Sequence, residues 1–180
     1  NRKCTPCPSG TYNDLTNKQS ISDCKVCVAG KYLDTPGSKA ASACKDCPEG
    51  TYLDDVAANA ANHDMLEDCH ICGLGKYNPT KGMTAAGHCL NCQRGHFNAI
   101  GATVASEHVK CSECPAGYYQ NQVESGSCKE CDAGRSSNSL KRESVCDECE
   151  QGRYTDAVKS VSCTACPVGL HGGNSVASAT

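Results

Sequence analysis

The 180-residue sequence contains 18 cysteines, and all of them stand in nine CxxC motifs. These are Cys4/Cys7, Cys24/Cys27, Cys44/Cys47, Cys69/Cys72, Cys89/Cys92, Cys111/Cys114, Cys128/Cys131, Cys146/Cys149 and Cys163/Cys166. Thiols at this spacing have four chemistries open to them: a four-cysteine zinc site, a redox pair, covalent haem attachment, or structural disulfides. Haem attachment needs CxxCH, and no CxxC here is followed by His. Redox work needs a thiolate activated at a helix start or by a basic neighbour, usually in one or two motifs rather than nine in tandem. Zinc sites built from motif pairs leave one of nine motifs over. The spacings between first cysteines, 20, 20, 25, 20, 22, 17, 18 and 17, also lack the short and long alternation of paired sites. Disulfides are the reading that remains strongest, and they imply an oxidising, extracellular compartment.

Around the cysteines a longer phrase recurs, CxxCxxGxY followed by a spacer. Glycine follows every second cysteine at the third position, as in Gly10, Gly30, Gly50, Gly75, Gly95, Gly117, Gly134, Gly152 and Gly169. Two residues later comes an aromatic in seven units: Tyr12, Tyr32, Tyr52, Tyr77, Phe97, Tyr119 and Tyr154, with Ser136 and His171 as the exceptions. Glycine at a fixed offset predicts positive φ in the turn that leaves the cysteine pair. The aromatic is expected to lie over a disulfide with its hydroxyl in water. GKYLD, GTYLD and GYYQN predict short strands, and TPGS and TKGM predict turns, so each unit is expected to be a loop-rich hairpin. Point changes such as Gly50→Val or Tyr52→Ala are expected to disturb their own unit and its neighbours.

Composition supports the same architecture. Cys and Ala make up more than half of the hydrophobic residues; there is no Trp, one Phe and seven Tyr. Large side chains worth roughly 1.5–3 kcal/mol each on burial are scarce, so one sizeable core is excluded. Ordering the backbone costs about 1–2 kcal/mol per residue, and covalent links are the obvious compensation. The net charge is −3, with no like-charge run longer than a pair such as Lys141-Arg142, which argues against a nucleic-acid or anionic-membrane surface. No stretch reaches the roughly 18 apolar residues of a membrane span, and residue 1 does not begin a signal peptide. The chain reads as a segment of a longer protein. Unit length divides it into five longer repeats, 1–110, and four shorter ones, 111–180.

Two regular disulfide schemes fit nine tandem motifs. In one, the second cysteine of each unit closes onto the first of the next; in the other, like cysteines interleave, Cys4 with Cys24 and Cys7 with Cys27. Loops of either length are near those for which chain entropy gives roughly 3 kcal/mol per bridge.

The phrase CxxCPxGxY, in CTPCPSGTY, CKDCPEGTY and CSECPAGYY, resembles the ephrin-receptor-like cysteine-rich repeat. That repeat belongs to the growth-factor-receptor cysteine-rich group and is similar to the first module of tumour-necrosis-factor-receptor repeats. The resemblance covers residues 4 to 171. The proline is present only at Pro8, Pro48, Pro115 and Pro167. The resemblance implies small disulfide-rich repeats, an extended rod of tandem short β-hairpin units with little helix and no single core. It also implies the sequential pairing: Cys7-Cys24, Cys27-Cys44, Cys47-Cys69, Cys72-Cys89, Cys92-Cys111, Cys114-Cys128, Cys131-Cys146 and Cys149-Cys163. Cys4 and Cys166 then pair outside the segment. Long arrays of this sort look like those of protist and algal surface and extracellular proteins, including surface antigens and flagellar-hair proteins.

No other constellation competes for a function. The insertion DDVAANAANHDMLED has enough Ala for about two helical turns, too short to be stable alone. His63, His70 and His88 lie in or beside it with Asp64, Glu67 and Asp68, and the segment reads as a solvated polar loop rather than a metal site. No nucleophile with a base, phosphate loop or paired carboxylates stands out, so neither an enzyme nor a cofactor is expected. Asn78-Pro-Thr80 fails as a glycosylation sequon because of its proline; Ser136, Ser137 and Ser139 are among the spacer hydroxyls open to O-linked sugar. The sequence therefore predicts a secreted or cell-surface structural protein, a stalk, filament or appendage component with protein partners, homotypic or other surface subunits. The alternative is a ligand-binding receptor ectodomain or surface-coat antigen, using the insertion at 54–68 or the shorter units after Cys111, where Tyr118-Tyr119 stand out.

Overall fold

A computed structural model of the chain describes residues 4–99 and 104–172. Eight antiparallel hairpins of two-residue strands follow one another: Thr11–Tyr12 with Lys25–Val26, Lys31–Tyr32 with Lys45–Asp46, Thr51–Tyr52 with His70–Ile71, and Lys76–Tyr77 with Leu90–Asn91. They continue with His96–Phe97 and Ser112–Glu113, Tyr118–Tyr119 and Lys129–Glu130, Arg135–Ser136 and Asp147–Glu148, and Arg153–Tyr154 and Thr164–Ala165. The strands are short for a covalent reason. One strand is the dipeptide after the repeated glycine, and its partner is the xx of the next CxxC, so a turn bounds one and cysteines bound the other. Each hairpin thus spans the spacer between two motifs.

Eight disulfides tie the hairpins: Cys7–Cys24, Cys27–Cys44, Cys47–Cys69, Cys72–Cys89, Cys92–Cys111, Cys114–Cys128, Cys131–Cys146 and Cys149–Cys163, with Cα separations of 5.6 to 5.9 Å. The only regular helical pieces among the described residues are short 3-10 turns, such as Ile21–Asp23 and Ala41–Ala43, which deliver the chain to the first cysteine of a motif. The first of these is capped by Ser20, whose side chain accepts from the Ser22 N–H. The Ala-rich insertion forms two such turns, Ala60–Asn62 and Leu66–Asp68, instead of α-helix. Asn59 caps the first, and three-residue turns suffice where a disulfide starts immediately afterwards at Cys69.

Buried apolar matter collects in small clusters. Cys27, Leu33 and Cys44 form one with Tyr12 packed against it, and Cys47, Leu53 and Cys69 form the next with Tyr32 against it. The aromatic of one repeat therefore covers the following disulfide, and burying Leu33 or Leu53 adds roughly 1.5–3 kcal/mol locally.

The chain forms two compact units. One runs to Asn91 and takes in the segment ending at Lys110; the other consists of Cys92–Ala99 and the chain from Cys111. Cys92–Ala99 belongs with the second because Cys92 is bonded to Cys111 and His96–Phe97 pairs with Ser112–Glu113. The segment ending at Lys110 belongs with the first because the His108 carbonyl accepts the Asn78 N–H at 2.8 Å. Unit length alone suggested a single division at Cys111.

Candidate functional site

The feature repeated most faithfully is a backbone joint between repeats. Its centre is the glycine of CxxCxxG. In the first unit Gly10, Gly30 and Gly50 donate their N–H groups to Leu33 O at 2.7 Å, Leu53 O at 2.9 Å and Asn78 O at 2.7 Å. Their carbonyls accept from Cys27, Cys47 and Cys72 of the next repeat at 2.8–2.9 Å. Gly95, Gly117 and Gly134 do the same in the second unit, towards Gln120, Ser137 and Thr155. Each glycine thus closes two bonds to its successor, parallel to the disulfide.

The joint also reaches beyond the successor. Gly50 has φ +81°, and a Cβ placed on it would stand 2.1 Å from the carbonyl oxygen of Ala105, which belongs to the repeat after next. Gly10 meets Ala60 O and Gly30 meets Gly82 O in the same way, and in the second unit Gly95 meets Lys141 O and Gly117 meets Lys159 O. The absent side chain is therefore needed twice, for the left-handed backbone and for the approach of a carbonyl. The nearest-neighbour picture drawn from sequence has to be widened, since a repeat here is in contact with the next two.

A second position completes the joint. The residue after the aromatic, or after Ser136 where the aromatic is missing, is buried in six repeats: Leu33, Leu53, Asn78, Asn98, Gln120 and Ser137. The carbonyls of Leu33, Leu53, Asn78, Gln120 and Ser137 receive the glycine bond of the preceding repeat, and the N–H at this position donates forward, as from Leu53 to Met83 O at 2.9 Å and from Gln120 to Arg142 O at 2.9 Å. Where the residue is polar, its side chain is satisfied internally. Asn78 Nδ2 donates to Thr51 O and Thr80 O, both at 2.9 Å, and its Oδ1 accepts from the Thr80 N–H.

A family model for this repeat, described as tyrosine-protein kinase ephrin type A/B receptor-like, matches residues 1–44, 101–145 and 138–179. The chain belongs to the ephrin-receptor-like family. No curated protein matches it. Eight disulfides call for an oxidising compartment, and with a repeat family of the receptor-like type they point to the outside of the cell, secreted or on its surface. Among the described residues no helix is long and apolar enough to cross a membrane.

On the surface of these ephrin-receptor-like repeats a lysine crosses each of several hairpins. Lys25 Nζ lies 5.9 Å from the Tyr12 ring centre and 2.7 Å from Asp14 Oδ1; Lys45 repeats this over Tyr32 towards Asp34, and Lys129 over Tyr119 towards Asn121 Oδ1. The hydrogen bond from Lys25 draws the Asp14 carboxyl below its usual range and raises the ammonium. These exposed pairs align the hairpin more than they stabilise it. Lys141 and Lys159 sit in the left-handed region at φ 55° and 61°. Each is anchored by its N–H on Cys114 O or Cys131 O and by its ammonium on Glu113 or Glu130.

The histidines divide. His70 and His88 are exposed, but His63 is completely buried, which corrects the reading of the whole insertion as a solvated loop. Its Nδ1 is 2.7 Å from Lys31 O and its Nε2 is 3.3 Å from Asp55 Oδ1. Its carbonyl accepts the Leu33 N–H at 2.7 Å, so the joint itself pulls the ring inside. His108 occupies the corresponding place two repeats on and is also buried. Asp64, Glu67 and Asp68 do not gather around His63, and no cluster of three potential metal ligands occurs among the described residues. Cys4 and Cys166 are unbonded.

Asp55 is held at about pKa 2, first by the Asn62 side-chain amide, then by the Ala58 N–H, with His63 adding to them. A carboxyl lowered on folding stabilises the fold fully above its unfolded value and loses that contribution as pH falls through its folded one. The Ala58 and Asn62 amides are therefore expected to stay protected from hydrogen exchange at pH 4 and to open as pH falls towards 2; opening already between pH 5 and 4 would contradict this.

Proposed function

We propose that this array is a non-catalytic structural element of an extracellular protein, a stalk or a component of a surface filament, whose task is served by covalently tied repetition. The observation that carries the reading is the joint. At Gly10, Gly30, Gly50, Gly95 and Gly117 one disulfide, two glycine hydrogen bonds and a close approach by the repeat after next act together, and all of them serve continuity between repeats. Its partners on this reading are further subunits of the same kind or other surface proteins, with spacer hydroxyls such as Ser139 open to O-linked sugar. Electron microscopy of the protein purified from its source without reduction tests it. Ordered filaments or hairs containing the array support the reading; single unassociated molecules that carry a bound partner at one place along the array would overturn it.

One observation favours the second reading, a ligand-binding ectodomain. Val123, Leu140 and Val158 are 49%, 62% and 53% exposed and occupy the same corner, immediately before the left-handed residue, in three consecutive repeats. Substituting all three with serine leaves the joints untouched. Loss of a natural partner in that variant, with its fold retained, decides for the ectodomain.

A further inference from the structure

His63 is set between two groups that can only accept hydrogen bonds. The Lys31 carbonyl faces Nδ1 and the Asp55 carboxylate faces Nε2, while the ring has no exposed surface. A neutral imidazole has one N–H, so it leaves a lone pair directed at one of these oxygens inside the protein; the imidazolium satisfies both.

We propose that His63 is a proton-operated latch: as an imidazolium it bridges Lys31 and Asp55 and fastens the insertion of the third repeat onto the second, and loss of its proton releases that fastening. The carboxylate facing Nε2 suits the charged form. Asp55 is ionised over the whole range in which histidine titrates. Asp64, next in the chain, has a buried Oδ1 without a hydrogen-bond partner. Asp54, Asp68 and His70 line the cleft beside Asp55 and Asn62. On the strand side, the Lys31 ammonium is engaged by Asp46. The turn Pro8-Ser9-Gly10-Thr11, whose Gly10 touches the His63 backbone, contains no titratable side chain.

The consequence is directional. The insertion carries both the His63 carbonyl, which receives the Leu33 N–H, and the Ala60 carbonyl, which covers Gly10. Deprotonation therefore loosens the third repeat from the second and the first together, while the corresponding bond one repeat later, Leu53 N–H to Met83 O, has methionine in place of histidine and serves as an internal control.

The test is residue-resolved hydrogen exchange on the whole oxidised chain, corrected for intrinsic rates, across the range of histidine titration from about pH 5 to about pH 8. The protection of Leu33 relative to Leu53 is expected to fall about tenfold as pH rises. His63→Met copies what the fold already accepts at Met83 and is expected to make the ratio independent of pH. His63→Gln, whose amide can donate to the Asp55 carboxylate but carries no titratable proton, is expected to do the same and decides if the first variant fails to fold. A ratio that stays flat in the unmodified chain overturns the proposal, and so does a fall that persists in both variants.

Discussion

Gly50→Ala is expected to destabilise the joint around the third repeat by about 2–5 kcal/mol, while Gly134→Ala costs only about 1–2 kcal/mol. The two glycines have nearly the same backbone, φ +81° and +80°, and both donate to the carbonyl of the following repeat. They differ in what lies over the α-carbon. Gly50 has the Ala105 carbonyl where a Cβ would go, and Gly134 has nothing within 4 Å among the described residues. Both variants pay the left-handed penalty of a non-glycine residue; only the first must also push back a backbone carbonyl. Local unfolding free energies from hydrogen exchange at the Cys72 and Asn78 amides, compared with those at the Cys149 amide for the second variant, measure the difference. Equal costs would mean that the contact to the repeat after next contributes nothing.

Removing the Cys47–Cys69 bridge by Cys47→Ala with Cys69→Ala is expected to cost about 3 kcal/mol from loop entropy, with a further loss from the emptied space, since both cysteines are buried against Leu53 and Tyr32. The effect should be local but not confined to one repeat. Protection at Leu53 and at the Gly30 N–H, which donates to Leu53 O, is expected to drop at least about a hundredfold, whereas the second unit keeps its own bridges and its protection. A parallel loss at Gly117 and Gly134 would show that the array melts as a whole, against the picture of serial joints.

How much of this was legible in the sequence depends on whether a position is defined by its side chain or by its backbone. The CxxC motifs, the glycine and the aromatic recur as residue types, so the class of fold, small disulfide-rich hairpins without a common core, can be read from them. The buried position after the aromatic cannot. It is Leu33 in one repeat, Asn78 in another and Ser137 in a third, because what the joint uses there is an N–H and a carbonyl, which every residue but proline supplies. The left-handed corner is hidden for the same reason. Gly37 and Gly82 announce it, but Glu124, Lys141 and Lys159 do not, since their N–H groups are held by the carbonyls of Cys92, Cys114 and Cys131 in the preceding repeat. His63 is hidden in the sequence by polar and charged neighbours, although the backbone bond to Leu33 carries it inward.

The contact between a glycine and the repeat after next also orders events during synthesis. Gly10 waits for Ala60, roughly 50 residues later, and at about 5–20 residues per second that interval is several seconds. Throughout elongation the glycines of the most recent repeats therefore stand uncovered. The growing chain keeps a short unfinished stretch just behind the site of synthesis, where misdirected thiol exchange has its opportunity and where a disulfide isomerase has most to correct.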